Sequence, residues 1–94
     1  MKFKSLKKSN IKNKKLEIKF IEPNKTIHFG FKGSTTYTNG ATDEQRKNYL
    51  KRHKVNENWN EVNAGSLSAF ILWGKSRNIQ ENLNNYLKRF NITK

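Results

Sequence analysis

The most ordered signal in this chain is an alternation of apolar and polar positions. Leu16, Ile18 and Phe20 alternate with Glu17 and Lys19, and Ile27, Phe29 and Phe31 alternate around His28 and Gly30. A period of two sends every second side chain to one face, the pattern of a strand buried on one side. Between the runs, Glu22-Pro23-Asn24-Lys25 supplies turn chemistry, because Pro presets φ and Asn tolerates the left-handed region. The two runs therefore predict a β-hairpin with Leu16, Ile18, Phe20, Ile27, Phe29 and Phe31 on its buried side. An isolated hairpin is marginal in water, so helices must cover it.

The period then changes. Residues 33–40 form a Gly-, Ser- and Thr-rich loop with Tyr37 in its middle, and a helix is predicted to follow. Thr42 and Gln45 have capping-box spacing, Asp43 and Glu44 suit the positive end of the dipole, and Arg52, His53 and Lys54 suit the other end. Arg46, Tyr49, Leu50 and His53 share one face of this helix, while Lys47, Lys51 and Lys54 make a basic stripe. Asn56 to Asn63 is a polar connector apart from Trp59 and Val62. Ser66 to Trp73 is the most apolar stretch and predicts a short buried helix stopped by Gly74. Ile79, Leu83, Tyr86, Leu87 and Phe90 form a continuous stripe for a last helix, with Asn78 and Glu81 at capping spacing. The expected fold is a single small α+β domain over residues 15–94, an antiparallel β-hairpin packed by about three helices. Before it, residues 1–14 are rich in Lys, Ser and Asn, and Phe3, Leu6 and Ile11 are too scattered to make a face. A disordered basic arm is expected there.

Charge changes the picture most. Twenty Lys and Arg oppose seven Asp and Glu, a formal +13 over 94 residues. Lys2, Lys4, Lys7, Lys8, Lys12, Lys14 and Lys15 open the chain with no acid among them. The natural partner of such a surface is a polyanion, DNA or RNA above all. The other composition figures act mainly by exclusion. Only 33% of residues are hydrophobic, so the core is thin. There is no Cys, hence no disulfide and no thiolate metal site. No apolar run approaches the roughly 18–20 residues of a membrane span, and no secretory signal opens the chain.

Two surfaces are candidates for phosphate contact: the seven lysines of the arm, and Lys47, Lys51, Arg52 and Lys54 of the first helix together with Lys32. Gly33, Ser34 and Thr35 suggest a phosphate cradle, although P-loop spacing is missing and a tight turn explains the glycine equally well. Tyr37 and Trp59 lie in polar stretches and are the aromatic side chains free to stack on bases, whereas Trp73 reads as core. His28 and His53 read as packing or capping residues. With no ligand cluster and no nucleophile–base–orienter set, neither a metal, a cofactor nor an enzymatic activity is expected.

His28-Phe29-Gly30, Lys32-Gly33, Tyr37-Thr38, Tyr49, Arg52-His53, Glu57, Trp59, Ala64-Gly65 and Leu72-Trp73 together resemble a family of short basic proteins encoded by nucleocytoplasmic large DNA viruses, the giant viruses among them. The resemblance covers the chain from Ile27 to about Leu83. It departs at Ser34 and Thr36, where the family pattern has Tyr and Asp, and at Ser76, where it has Pro. It implies a viral setting with a large DNA genome, located in the virion or a cytoplasmic viral factory rather than secreted, and it implies no particular activity. The expected function is non-specific DNA binding through phosphates, in genome organisation or packaging. The alternatives are a minor capsid or core protein that docks on other virion proteins through an apolar patch at Leu67–Trp73, and an RNA-binding accessory factor. Oligomeric state is left open by the sequence.

Overall fold

The computed structural model describes residues 1–94 and gives an α+β fold. Strands β1 (Lys2–Lys8), β2 (Lys14–Ile21) and β3 (Lys25–Phe31) form an antiparallel sheet in the order β1-β2-β3. Leu16, Ile18 and Phe20 of β2 sit opposite Phe29, Ile27 and Lys25 of β3, so the hairpin has the register its alternation predicts.

The sheet is larger than the sequence suggests. Residues expected to form a disordered arm instead supply its edge strand. Phe3 pairs with Phe20 and Leu6 with Ile18, and both pack against the core. Three residues apart, these two could not face the same side of a regular strand. A bulge between Phe3 and Ser5 inserts Lys4 and restores the parity. The strand is also tied at its start, where Phe3 N–H donates to Thr93 O at 2.7 Å and Lys2 Nζ lies 3.4 Å from Glu22.

The helices of the second half of the chain pack on the apolar face. After a 3-10 turn at Tyr37–Asn39 come α1 (Asp43–Lys54), α2 (Ala64–Leu67), which widens directly into a π-helical turn at Ser68–Leu72, and α3 (Ile79–Arg89). The predicted caps are in place. Thr42 Oγ1 accepts from Gln45 N at 3.1 Å while Gln45 Oε1 accepts from Thr42 N at 2.8 Å, and Asn78 Oδ1 accepts from Glu81 N at 2.9 Å. Ile18, Phe20 and Phe29 from the sheet meet Leu67, Ile71, Leu72, Leu83, Tyr86 and Leu87 in one core. Two polar side chains complete it. Tyr86 Oη bonds Ser66 Oγ at 2.8 Å, and Asn82 Nδ2 donates to Ile71 O and Ser76 O at 2.8 and 2.7 Å. No helix is long and apolar enough to cross a membrane.

Two expectations about exposure are corrected. Leu67, Ala69, Ile71 and Leu72 are buried, so most of the stretch expected to leave a docking patch is taken up by the core, with Phe70 and Trp73 only partly buried. Phe31, assigned to the buried side of its hairpin, is 65% exposed because it lies beyond the helical cover.

Candidate functional site

A groove of about 710 Å³ opens between the end of β3, the loop at residues 34–36 and α1, with Leu72 and Trp73 in its lining. One wall is α1, a helix with no fully buried residue. Ring stacking and one guanidinium hold it in place. Tyr49 stacks on Trp73 with centroids 4.2 Å apart and rings 6° from parallel, and Arg46 Nε donates to Trp73 O and Gly74 O at 2.9 and 3.1 Å. His53, one turn on, stacks on Tyr49 at 4.0 Å. The result is an aromatic column of Trp73, Tyr49 and His53 along the groove.

Glu57 anchors the end of that column. Its Oε2 lies 3.0 Å from His53 Nδ1, and its Oε1 accepts from Trp59 Nε1 at 2.8 Å. A carboxylate only accepts, so Nδ1 carries the proton and Nε2 of a neutral His53 is left as an acceptor. Gly65 makes room for this arrangement, since a Cβ there would sit 3.1 Å from the Glu57 carboxyl carbon and oxygen. Burial, and secondarily the Glu57 charge, push the Tyr49 hydroxyl up to about 12. No Ser or Thr hydroxyl hydrogen-bonds His53 Nε2, and no cluster of three or more His, Asp or Glu gathers anywhere in the molecule.

The other wall is the loop after β3. Gly33, at φ 87°, makes the turn that L residues resist. Ser34 Oγ donates to Phe31 O at 2.7 Å, and Thr36 is buried with its N–H and hydroxyl both on Asn39 Oδ1. The suspected phosphate cradle is thus largely engaged with itself. Ser34 and Thr35 do line the groove, however, together with Lys14 and Arg52.

This geometry sets the comparison with known proteins. A family model described as a family of unknown function, DUF5754, matches residues 4–53. The chain belongs to that family. The matched segment holds β1 from Lys4 onward, β2, β3, the loop and nearly all of α1, and so both walls of the groove, but stops short of Glu57, Trp59 and the remaining helices. No curated protein and no solved structure matches the chain.

The cations proposed from the sequence divide into two groups. Lys2 pairs with Glu22, Lys7 lies 3.8 Å from the buried Glu17, and Lys15 Nζ donates to Ser34 O at 2.8 Å. Lys4, Lys8, Lys12, Lys14, Lys32, Lys47, Lys51, Arg52 and Lys54 are exposed, with no carboxylate within 4.0 Å. The stripe on α1 and the pair at the groove belong to this free set. The two aromatic candidates do not. Arg77 and Arg46 sit 4.1 and 5.4 Å from the Tyr37 ring centre, and its hydroxyl donates to Asp43 at 2.7 Å, a bond that raises its pKa. Trp59 is bonded to Glu57 and meets Phe70 edge-on at 5.7 Å. Both rings serve the fold. The aromatic side chain that the sequence reading missed is Phe31. Strand alternation assigned it inward, and only the limit of the helical cover reveals it.

Proposed function

We propose that the protein binds nucleic acid, DNA in the first place, without sequence preference and through contacts to phosphate. The observation that carries this reading is the set of free cations. Only Lys2, Lys7, Lys19 and Arg77 among twenty Lys and Arg lie within 4.0 Å of a carboxylate. Apart from Lys15, Lys25, Arg46 and Arg89, which meet carbonyls or a ring within the chain, the rest are available to replace counterions condensed on a phosphate backbone. The sheet supports the same reading. On its outer face the one acid, Glu17, is already surrounded by Lys7, Lys19 and His28 at 3.7–4.0 Å. The resemblance to basic proteins of large DNA viruses adds a proposed setting, in which such a protein helps neutralise or organise a genome in the particle or the viral factory. The rival docking role has less to support it, because Leu67, Ala69, Ile71 and Leu72 of the apolar stretch behind it are buried and, of its apolar side chains, only Phe70 and Trp73 are partly exposed.

Electrophoretic shifts on duplexes of unrelated sequence test the proposal. Comparable affinity is expected for all of them, and log K should fall against log salt with a slope of roughly −4 to −7 if five to eight cations engage. Replacing Lys47, Lys51 and Lys54 by Gln should flatten that slope by roughly 2–3. Affinity indifferent to salt would refute the reading. Charge is best probed by substitution, because truncating the first residues would remove β1 from the sheet.

A further inference from the structure

Phe31 is the one exposed aromatic residue of the chain, at 65%, and it lies on the groove. No other ring stacks on it, whereas Tyr49, Trp59, Trp73 and Tyr86 all have ring partners. An exposed phenyl at a strand end costs solvation and contributes nothing to this core. Its surroundings fit a definite ligand. Lys14 is its cross-strand partner, Lys32 follows it in the chain, and Arg52 and Asn48 face the same groove from α1. None of these three cations has a carboxylate within 4.0 Å, and the Asn48 amide makes no hydrogen bond within the chain. A ring flanked by free cations and an uncommitted amide offers one face for a base, charges for the phosphates on either side, and a donor–acceptor pair for a base edge.

We propose that this groove takes an unpaired nucleotide of a single-stranded nucleic acid, with its base stacked on Phe31 and its phosphates held by Lys14 and Arg52, with Lys32 just outside the groove. The inference rests on the nucleic-acid reading above and adds a strand preference to it. Paired bases in a duplex are stacked on one another and expose only their edges, so they cannot lie on the ring. Duplex binding would therefore use the lysines and leave Phe31 idle. Charge complementarity selects a polyanion over an apolar peptide as the occupant of this rim.

The test is a fluorescence-anisotropy titration of the full chain with a labelled oligothymidylate and with a duplex of equal length, each at two salt concentrations. Phe31→Ala should weaken single-strand binding by about tenfold or more and leave duplex binding unchanged, and Phe31→Trp should restore it. Because Phe31 lies outside the core, both variants are expected to melt like the parent. If Phe31→Ala is silent on the oligothymidylate, or weakens both ligands alike, the stacking site is refuted while salt-dependent duplex binding still stands. If neither ligand binds in a salt-dependent way, both proposals fall together.

Discussion

At the scale of single residues, the tyrosines report how this thin core treats charge. Burial pushes Tyr49 and Tyr86 up to about 12 from an ordinary 10.0, and the hydrogen bond to Asp43 raises Tyr37. A group whose pKa is higher folded than unfolded loses protons more readily once unfolded. Its contribution is therefore complete below pH 10.0 and drains away as pH climbs through about 12. A near-ultraviolet titration should show no tyrosine ionising at its ordinary value, and alkaline unfolding should accompany the ionisation of Tyr49 and Tyr86. A full tyrosinate signal at pH 10 with the fold intact would contradict the buried placement of those two rings.

Among the elements, α1 is the least secured. It buries no residue completely and depends on the Tyr49–Trp73 stack and on Arg46 bonding two carbonyls. Segments with few buried contacts open at a lower free energy than the core they rest on. Arg46→Ala removes both hydrogen bonds from a charged donor, a loss of about 1–3 kcal/mol. Hydrogen exchange should then speed up tenfold or more in residues 43–54, with the amides of β2 and β3 little changed. Equal acceleration everywhere would mean that α1 is part of a single cooperative unit. The limits of the helix were readable because its capping box is a local signal. Its attachment was not, because it runs through Trp73 and Gly74, far along the chain.

For the whole molecule, the decisive element is β1. As an unstructured arm, the first residues would contribute nothing to stability. As an edge strand they bury Phe3 and Leu6 against the core. Leu6→Ala should lower unfolding stability by about 1–2 kcal/mol in a urea titration, less than a fully buried leucine because Leu6 is only half-buried. Lys12→Ala, in the exposed connection to β2, should change it by less than about 0.5 kcal/mol. Equal, negligible effects would restore the arm. The difference matters for function too, because a lysine on a strand has a fixed position while one on a tail ranges over a volume. The proposed phosphate-binding surface is then partly a shape as well as a charge.

Local patterning alone determined the β2–β3 hairpin, the caps of α1 and α3, the amphipathic stripe of α3 and the excess of positive charge, since each is written in neighbouring residues or in a simple count. Tertiary structure alone decided which lysines are free, that Tyr37 and Trp59 are committed to the fold, and that Glu57 closes the stack of Tyr49 and His53. It also converted a basic tail into a strand and left Phe31 in solvent. For the strand, the ion pairs to the sheet and Phe31 the reason is the same. A bulge, a pair such as Lys2 with Glu22 and the edge of a helical layer each depend on residues distant in sequence, and no periodicity along the chain records them. The contacts of Glu57 are close in sequence, and what the chain alone does not give there is the path of the turn after α1.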